Sequence, residues 1–176
     1  MTPDPRARPA FTSASIYNHP GGLLSFWYAS EWHLQVGDQA LPAVTLTPDL
    51  ADPVTHIAIT VTDVGAPLLF KDRASVMEGV REGLSNLDGG LIESLTELKT
   101  EGRWGVEWRC TFLAGDVRCR RRGRLFFSGR YQYAVVFQGS TEARYAYWQG
   151  MFEWTMLTVA TASIHLQSWT QSASKG

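Results

Sequence analysis

The amino-acid sequence predicts a single-domain α+β sandwich, an antiparallel β-meander sheet packed by two amphipathic helices. Three observations carry this. Residues 103–139 hold three alternating apolar and polar runs joined by two short Gly-containing turns, the pattern of a meander. Residues 141–159 place apolar side chains at three- and four-residue steps, the period of a helix with one buried face. Residues 72–87 repeat that period. A length of 176 residues suits one core, and 44% apolar with 19% charged residues suits a packed chain and not a disordered one.

In order, residues 1–12 are Pro-rich and polar and are expected to be a flexible tail, with the domain over 13–168 and a polar tail over 169–176. Leu23–Val36 reads as two short strands forming a first hairpin around Ala29-Ser30. Ala43–Pro48 reads as a third strand. Thr55–Asp63 is the clearest early strand, with Ile57, Ile59 and Val61 on one face and His56, Ala58, Thr60 and Thr62 on the other. Gly65-Ala66-Pro67 breaks the pattern. The first helix follows, capped by Asp72 and stopped by Asp88-Gly89-Gly90.

Leu91–Glu101 is a candidate strand. In Arg103–Leu113 the residues Val106, Trp108, Cys110 and Phe112 share a face. Val117–Phe127 and Arg130–Gly139 complete the meander. Ser140 or Thr141 caps the second helix, whose stripe is Tyr145, Trp148, Met151, Phe152, Met156 and Val159. Ile164 and Leu166 are expected to form a short last strand.

The stretch "GGLLSFWYASEW" carries four rings, Phe26, Trp27, Tyr28 and Trp32, and Tyr17 precedes it. Tyr17, Gly22, Phe26, Tyr28 and Trp32, the hairpin "RRGRLFFSGRYQYAVVF" and the aromatic last helix together resemble the PsbP-like α/β sandwich over about residues 16–168. That fold is shared by the extrinsic PsbP subunits of photosystem II, a Ran-binding nuclear import factor and many bacterial domains of unknown function. Ala29 stands where relatives often have Pro. The resemblance implies that Phe26, Tyr28 and Trp32 close one end of the sandwich. Bacterial members include adaptors that hold apolar segments of other proteins, so it also implies a binding role. It does not imply photosynthesis. Alternation sends Trp27 to the face opposite Phe26 and Tyr28, which makes it the ring expected to meet a partner.

The charge of −1 conceals an asymmetry: residues 1–100 sum to −6 and residues 101–176 to +5. Much of the excess is one strand, in which Arg118, Arg120, Arg122 and Arg124 alternate and so share a face. A four-residue loop, Leu113–Asp116, would set Cys110 opposite Cys119 and bring Arg109 to the Arg side, with Glu107 beside it. Such a stripe either docks an acidic partner or phosphate groups, or is a solvated face paired with nearby carboxylates. A pI near 6.4 argues against a dedicated nucleic-acid binder.

The chain carries no G-x-S-x-G, Walker, H-E-x-x-H or C-x-x-C motif. His19, His33, His56 and His165 lack metal-ligand spacing, and no cofactor or metal is expected. Cys110 and Cys119 read as small buried hydrophobes in a reducing compartment. No leader and no apolar run long enough to span a membrane is visible, so the expected location is cytoplasmic.

The expected function is a non-enzymatic protein-binding or adaptor module. It would work through Arg109, Arg118, Arg120, Arg122 and Arg124, with Trp27, or through an aromatic groove. One alternative is a small-ligand binder or an unrecognised enzyme whose cleft is lined by Trp32, Trp104 and Tyr133, with Trp27. Another is a homodimer that buries an edge strand or a face.

Overall fold

The computed structural model describes residues 9–37, 40–100 and 103–161. The strands are β1 (Ala14–Asn18), β2 (Leu24–Ala29), β3 (His33–Val36), β4 (Ala43–Thr47) and β5 (His56–Asp63). A 3-10 turn (Phe70–Asp72) leads into α1 (Arg73–Ser85). The meander is β6 (Leu91–Thr100), β7 (Arg103–Ala114), β8 (Val117–Ser128) and β9 (Tyr131–Gly139), followed by α2 (Glu142–Leu157) and β10 (Ala160–Thr161). The α+β sandwich is therefore present, but its strands form two antiparallel sheets. One has the order β3-β4-β5-β9-β8-β7-β6 and the other β1-β2-β10.

Each face of the large sheet carries a core. On one, Ile57, Ile59, Val61, Tyr133, Val135 and Phe137 meet Tyr145, Met151, Phe152 and Met156 of α2 and Tyr17, Leu24 and Phe26 of the small sheet. On the other, Trp104, Val106, Trp108, Cys110, Leu125 and Phe127 pack with Leu84 of α1. Val76, Met77 and Val80 of α1 also pack there, half-buried. Full burial of one such apolar side chain contributes roughly 1.5–3 kcal/mol.

Three expectations are corrected. The stretch 23–36 is no hairpin: β2 pairs with β1 and β10, and β3 pairs with β4. A turn in which the Trp32 amide donates to the Ala29 carbonyl redirects the chain from one sheet to the other. β1 itself lies just past a segment read as tail, hidden because its exposed residue is Ile16 and its buried one Tyr17.

The cysteines do not face each other. Cys110 opposes Arg121 and Phe112 opposes Cys119, because the β7–β8 loop has two residues, Gly115-Asp116, and the strands extend to Ala114 and Val117. Gly115 has φ +63° at the first loop position, the backbone a tight hairpin of this kind demands. Finally, Asp72 occupies the N-cap position of α1, but its Oδ2 accepts from the Leu69 amide at 3.0 Å and closes the preceding turn instead. Of the expected tail over 1–12, residues 1–8 lie outside the described residues, while Phe11 stacks on Trp154 and the Thr12 amide donates to Glu31 at 2.6 Å. The expected tail over 169–176, the strand at Ile164 and Leu166, and His165 also lie outside the described residues.

The cap of α2 is as expected: Thr141 Oγ1 accepts from the Arg144 amide at 3.1 Å. Thr141→Ala should cost about 1 kcal/mol, read as a lower urea midpoint with an unchanged slope.

Candidate functional site

Strand alternation on β8 puts Arg118, Arg120, Arg122 and Arg124 on the face toward α2, and Arg109 of β7 lies opposite Arg122. The shared face read from the sequence is present, and it lies under a helix. Arg120 donates to Glu93 of β6 at 2.8 Å and to Glu142 of α2 at 2.9 Å. Arg122 donates to both carboxylate oxygens of Glu107 at 3.0 Å and to Glu153 of α2 at 2.8 Å. The Arg124 Nε donates to Glu107 as well.

Arg122 is 7% exposed, so its charge is held by these partners and not by water. Two of the five arginines, Arg120 and Arg122, thus pin α2 to the sheet, and Arg124 braces Glu107. Arg118 donates to the Gly89 carbonyl at 3.3 Å and to Thr111 Oγ1 at 3.2 Å. Arg109 is exposed and, among the described residues, has no ion pair.

Burial pushes the Glu107 carboxyl up, but the hydrogen bonds and charges of Arg122 and Arg124 outweigh it, and its pKa lies below the ordinary value. Tyr145, packed among the same arginines, is pushed up by burial.

The four aromatic candidates separate. Trp32 is buried beside α2, edge-on to Trp148 at 5.4 Å and to Phe152 at 6.0 Å. Tyr133 is buried in the same core, and its hydroxyl donates to the Leu23 carbonyl at 3.1 Å. Trp104 belongs to the opposite core, its indole nitrogen donating to Glu97 at 3.2 Å. Trp32, Trp104 and Tyr133 therefore do not line one cleft. Residue 104 of β7 points toward α1 while residue 133 of β9 points toward α2.

Trp27 is the exposed one, at 43%. Its direct cross-strand partner is Ile16, also exposed, at 47%. The Trp27 amide donates to Thr158 Oγ1 at 2.9 Å, which ties β2 to the end of α2, where Leu157 is 78% exposed. Phe11 stacks on Trp154 of the same helix at 5.4 Å. Sequence reading named Trp27 but missed Ile16 and Leu157. Only the β1–β2 register brings Ile16 to Trp27, and a lone exposed Leu at a helix end has no signature.

Both cysteines are buried free thiols. Burial raises their pKa values, and the Arg121 charge opposes this without overcoming it, so both stay protonated and unreactive. Among the described residues no group of three or more His, Cys, Asp or Glu could hold a metal ion, and no helix is long and apolar enough to cross a membrane.

No protein-family model and no curated protein matches the sequence. Solved structures do match in fold. The solution structure of CyanoP, the cyanobacterial PsbP of Synechocystis sp. PCC 6803, is similar with a TM-score of 0.63 and 12% identity. The match covers 90% of this chain and 99% of that one. LpqN of Mycobacterium tuberculosis, described as involved in cell envelope biogenesis, is similar with a TM-score of 0.57 and 10% identity, over 84% of this chain and 90% of that one. A Pseudomonas aeruginosa protein of unknown function, PA94, is similar with a TM-score of 0.54 and 11% identity, over 82% and 94%. The chain therefore has the PsbP-like fold. At this identity the likeness shows the fold alone.

Proposed function

We propose that this chain is a non-enzymatic binding module that holds an apolar segment of a protein partner on the outer face of its small sheet. The observation that carries the reading is the exposed cross-strand pair Ile16 and Trp27, continued by Leu157 at the end of α2. Large apolar side chains grouped on a surface are characteristic of interaction sites, and Trp is favoured where a few residues dominate binding. The adaptors found among bacterial proteins of this fold support the same reading. The module works in the cytoplasm, where its two free thiols stay reduced. The Arg face is secondary, since Arg120, Arg122 and Arg124 already hold carboxylates of the chain itself.

Two doubly substituted proteins test this by gentle crosslinking and pull-down from the native host's lysate. Ile16→Ser with Trp27→Ser should lose the partner that the unaltered protein captures. It should change stability by no more than about 1 kcal/mol, the scale of one cross-strand pair. Arg109→Glu with Arg118→Glu, which breaks no ion pair among the described residues, should keep it. Retention by the first protein and loss by the second would move the interface to the Arg face.

A further inference from the structure

We propose that a cleft between the end of the meander and the last turn of α2 binds a small carboxylate with a short apolar body. This site is separate from the Trp27 surface and does not depend on its having a partner.

The cleft originates at one glycine. Gly105 of β7 lies between Leu98 of β6 and Phe126 of β8 in register, on the face toward α2. A Cβ there would meet the Leu125 carbonyl oxygen at 2.5 Å, so the position is closed to larger residues. The row of side chains on β7 thus skips from Arg103 to Glu107. α2 ends at Leu157 and leaves the gap uncovered. The resulting space is about 120 Å³, walled by Leu98, Trp104, Phe126, Met156 and Val159, with Arg103 and Arg124 at its polar side. That is below the ~300–1,000 Å³ of sites for drug-sized ligands, so the fit is to a small molecule.

Among the described residues the charges at this place are unbalanced. Arg103 makes no ion pair among the described residues. Arg124 has one, through Nε, to a carboxylate that Arg122 also uses. Its two terminal nitrogens take no partner among the described residues. Two guanidiniums sharing part of one carboxylate are short of negative charge, and a planar carboxylate accepts from guanidinium nitrogens in pairs. The C-terminal end of α2 carries partial negative charge, which repels an anion. The ligand is therefore oriented with its carboxylate toward Arg103 and Arg124 and its apolar body toward Met156 and Val159. A neutral apolar ligand would leave both guanidiniums unsatisfied.

Hexanoate is the probe, and 1-hexanol is its neutral counterpart. Calorimetric titration at low ionic strength, with the methyl NMR signal of Met156 as the local reporter, should show saturable hexanoate binding that moves that signal. Affinity for 1-hexanol should be at least about tenfold weaker. Arg103→Gln should weaken hexanoate by about tenfold while leaving the melting temperature unchanged, and Arg103→Lys should restore part of the loss. Equal affinity for hexanoate and hexanol would overturn the proposal. So would unchanged hexanoate affinity in Arg103→Gln, binding that leaves Met156 unmoved, or no saturation by about 10 mM.

Discussion

Glu107→Ala should lower the unfolding free energy by about 3 kcal/mol, measured by urea denaturation at neutral pH. The carboxylate sits at the centre of the Arg ladder and accepts from Arg122 and Arg124 together. Removing it leaves Arg122, 7% exposed and with its Nε already without a partner among the described residues, held by Glu153 alone. Breaking a buried pair by deleting one member costs about 3–5 kcal/mol, because the remaining charge stays desolvated. The lower end applies here, since Glu153 remains. Glu107→Gln keeps one acceptor of the same shape and should cost less.

The same carboxylate gives a pH test with a definite sign. Its folded pKa is depressed below the unfolded value. Its contribution is therefore complete above the ordinary carboxylate pKa, near 4.3, and is lost as pH falls through the folded pKa. The stability gap between the unaltered protein and Glu107→Gln should be widest near neutrality and close below about pH 4. A gap that stayed constant through the acid range would mean that charge on Glu107 is not what holds the ladder. The ladder bears on the proposed interface as well. It docks α2 through Glu142 and Glu153, and α2 in turn holds the backbone of Trp27 through Thr158.

How much of this was legible in the chain depends on how far apart the contacting residues are. The alternation of Val106, Trp108, Cys110 and Phe112 was readable because a strand's two faces are written in neighbouring residues, and all four are buried. The cap and stripe of α2 are local in the same sense. That Arg118 to Arg124 share a face was equally plain. What lies over that face was not, because Glu93, Glu142 and Glu153 approach from β6 and α2, at separations of 22 to 31 residues from the arginines they meet. The cysteine register failed by two residues, which leaves the faces unchanged, because the loop was read as four residues and Gly115 permits two. For the cleft, Gly105 alone gave no sign, since a glycine in a strand marks a gap only once both neighbouring strands are known.

Gly123→Ala should destabilise the fold by about 3 kcal/mol, because Gly123 is the floor on which Trp108 rests. The two residues face each other across β7 and β8. A Cβ on residue 123 would lie 2.1 Å from Cζ2 of the indole, which no small adjustment relieves. The ring cannot move inward, since it packs with Val106, Cys110 and Leu125 under α1. Its indole nitrogen is buried with no hydrogen-bond partner among the described residues, so shape and burial alone hold it. An added methyl must therefore displace the whole ring, and the cost approaches that of deleting it, about 3–5 kcal/mol. The combination with Trp108→Ala separates this account from a general intolerance of β8 to substitution. With the ring gone there is room for the methyl, and alanine constrains the unfolded strand more than glycine does. The double substitution should then be no less stable than Trp108→Ala alone. Additive losses in urea denaturation would show that Gly123 is required for its backbone and not for the space it leaves to Trp108.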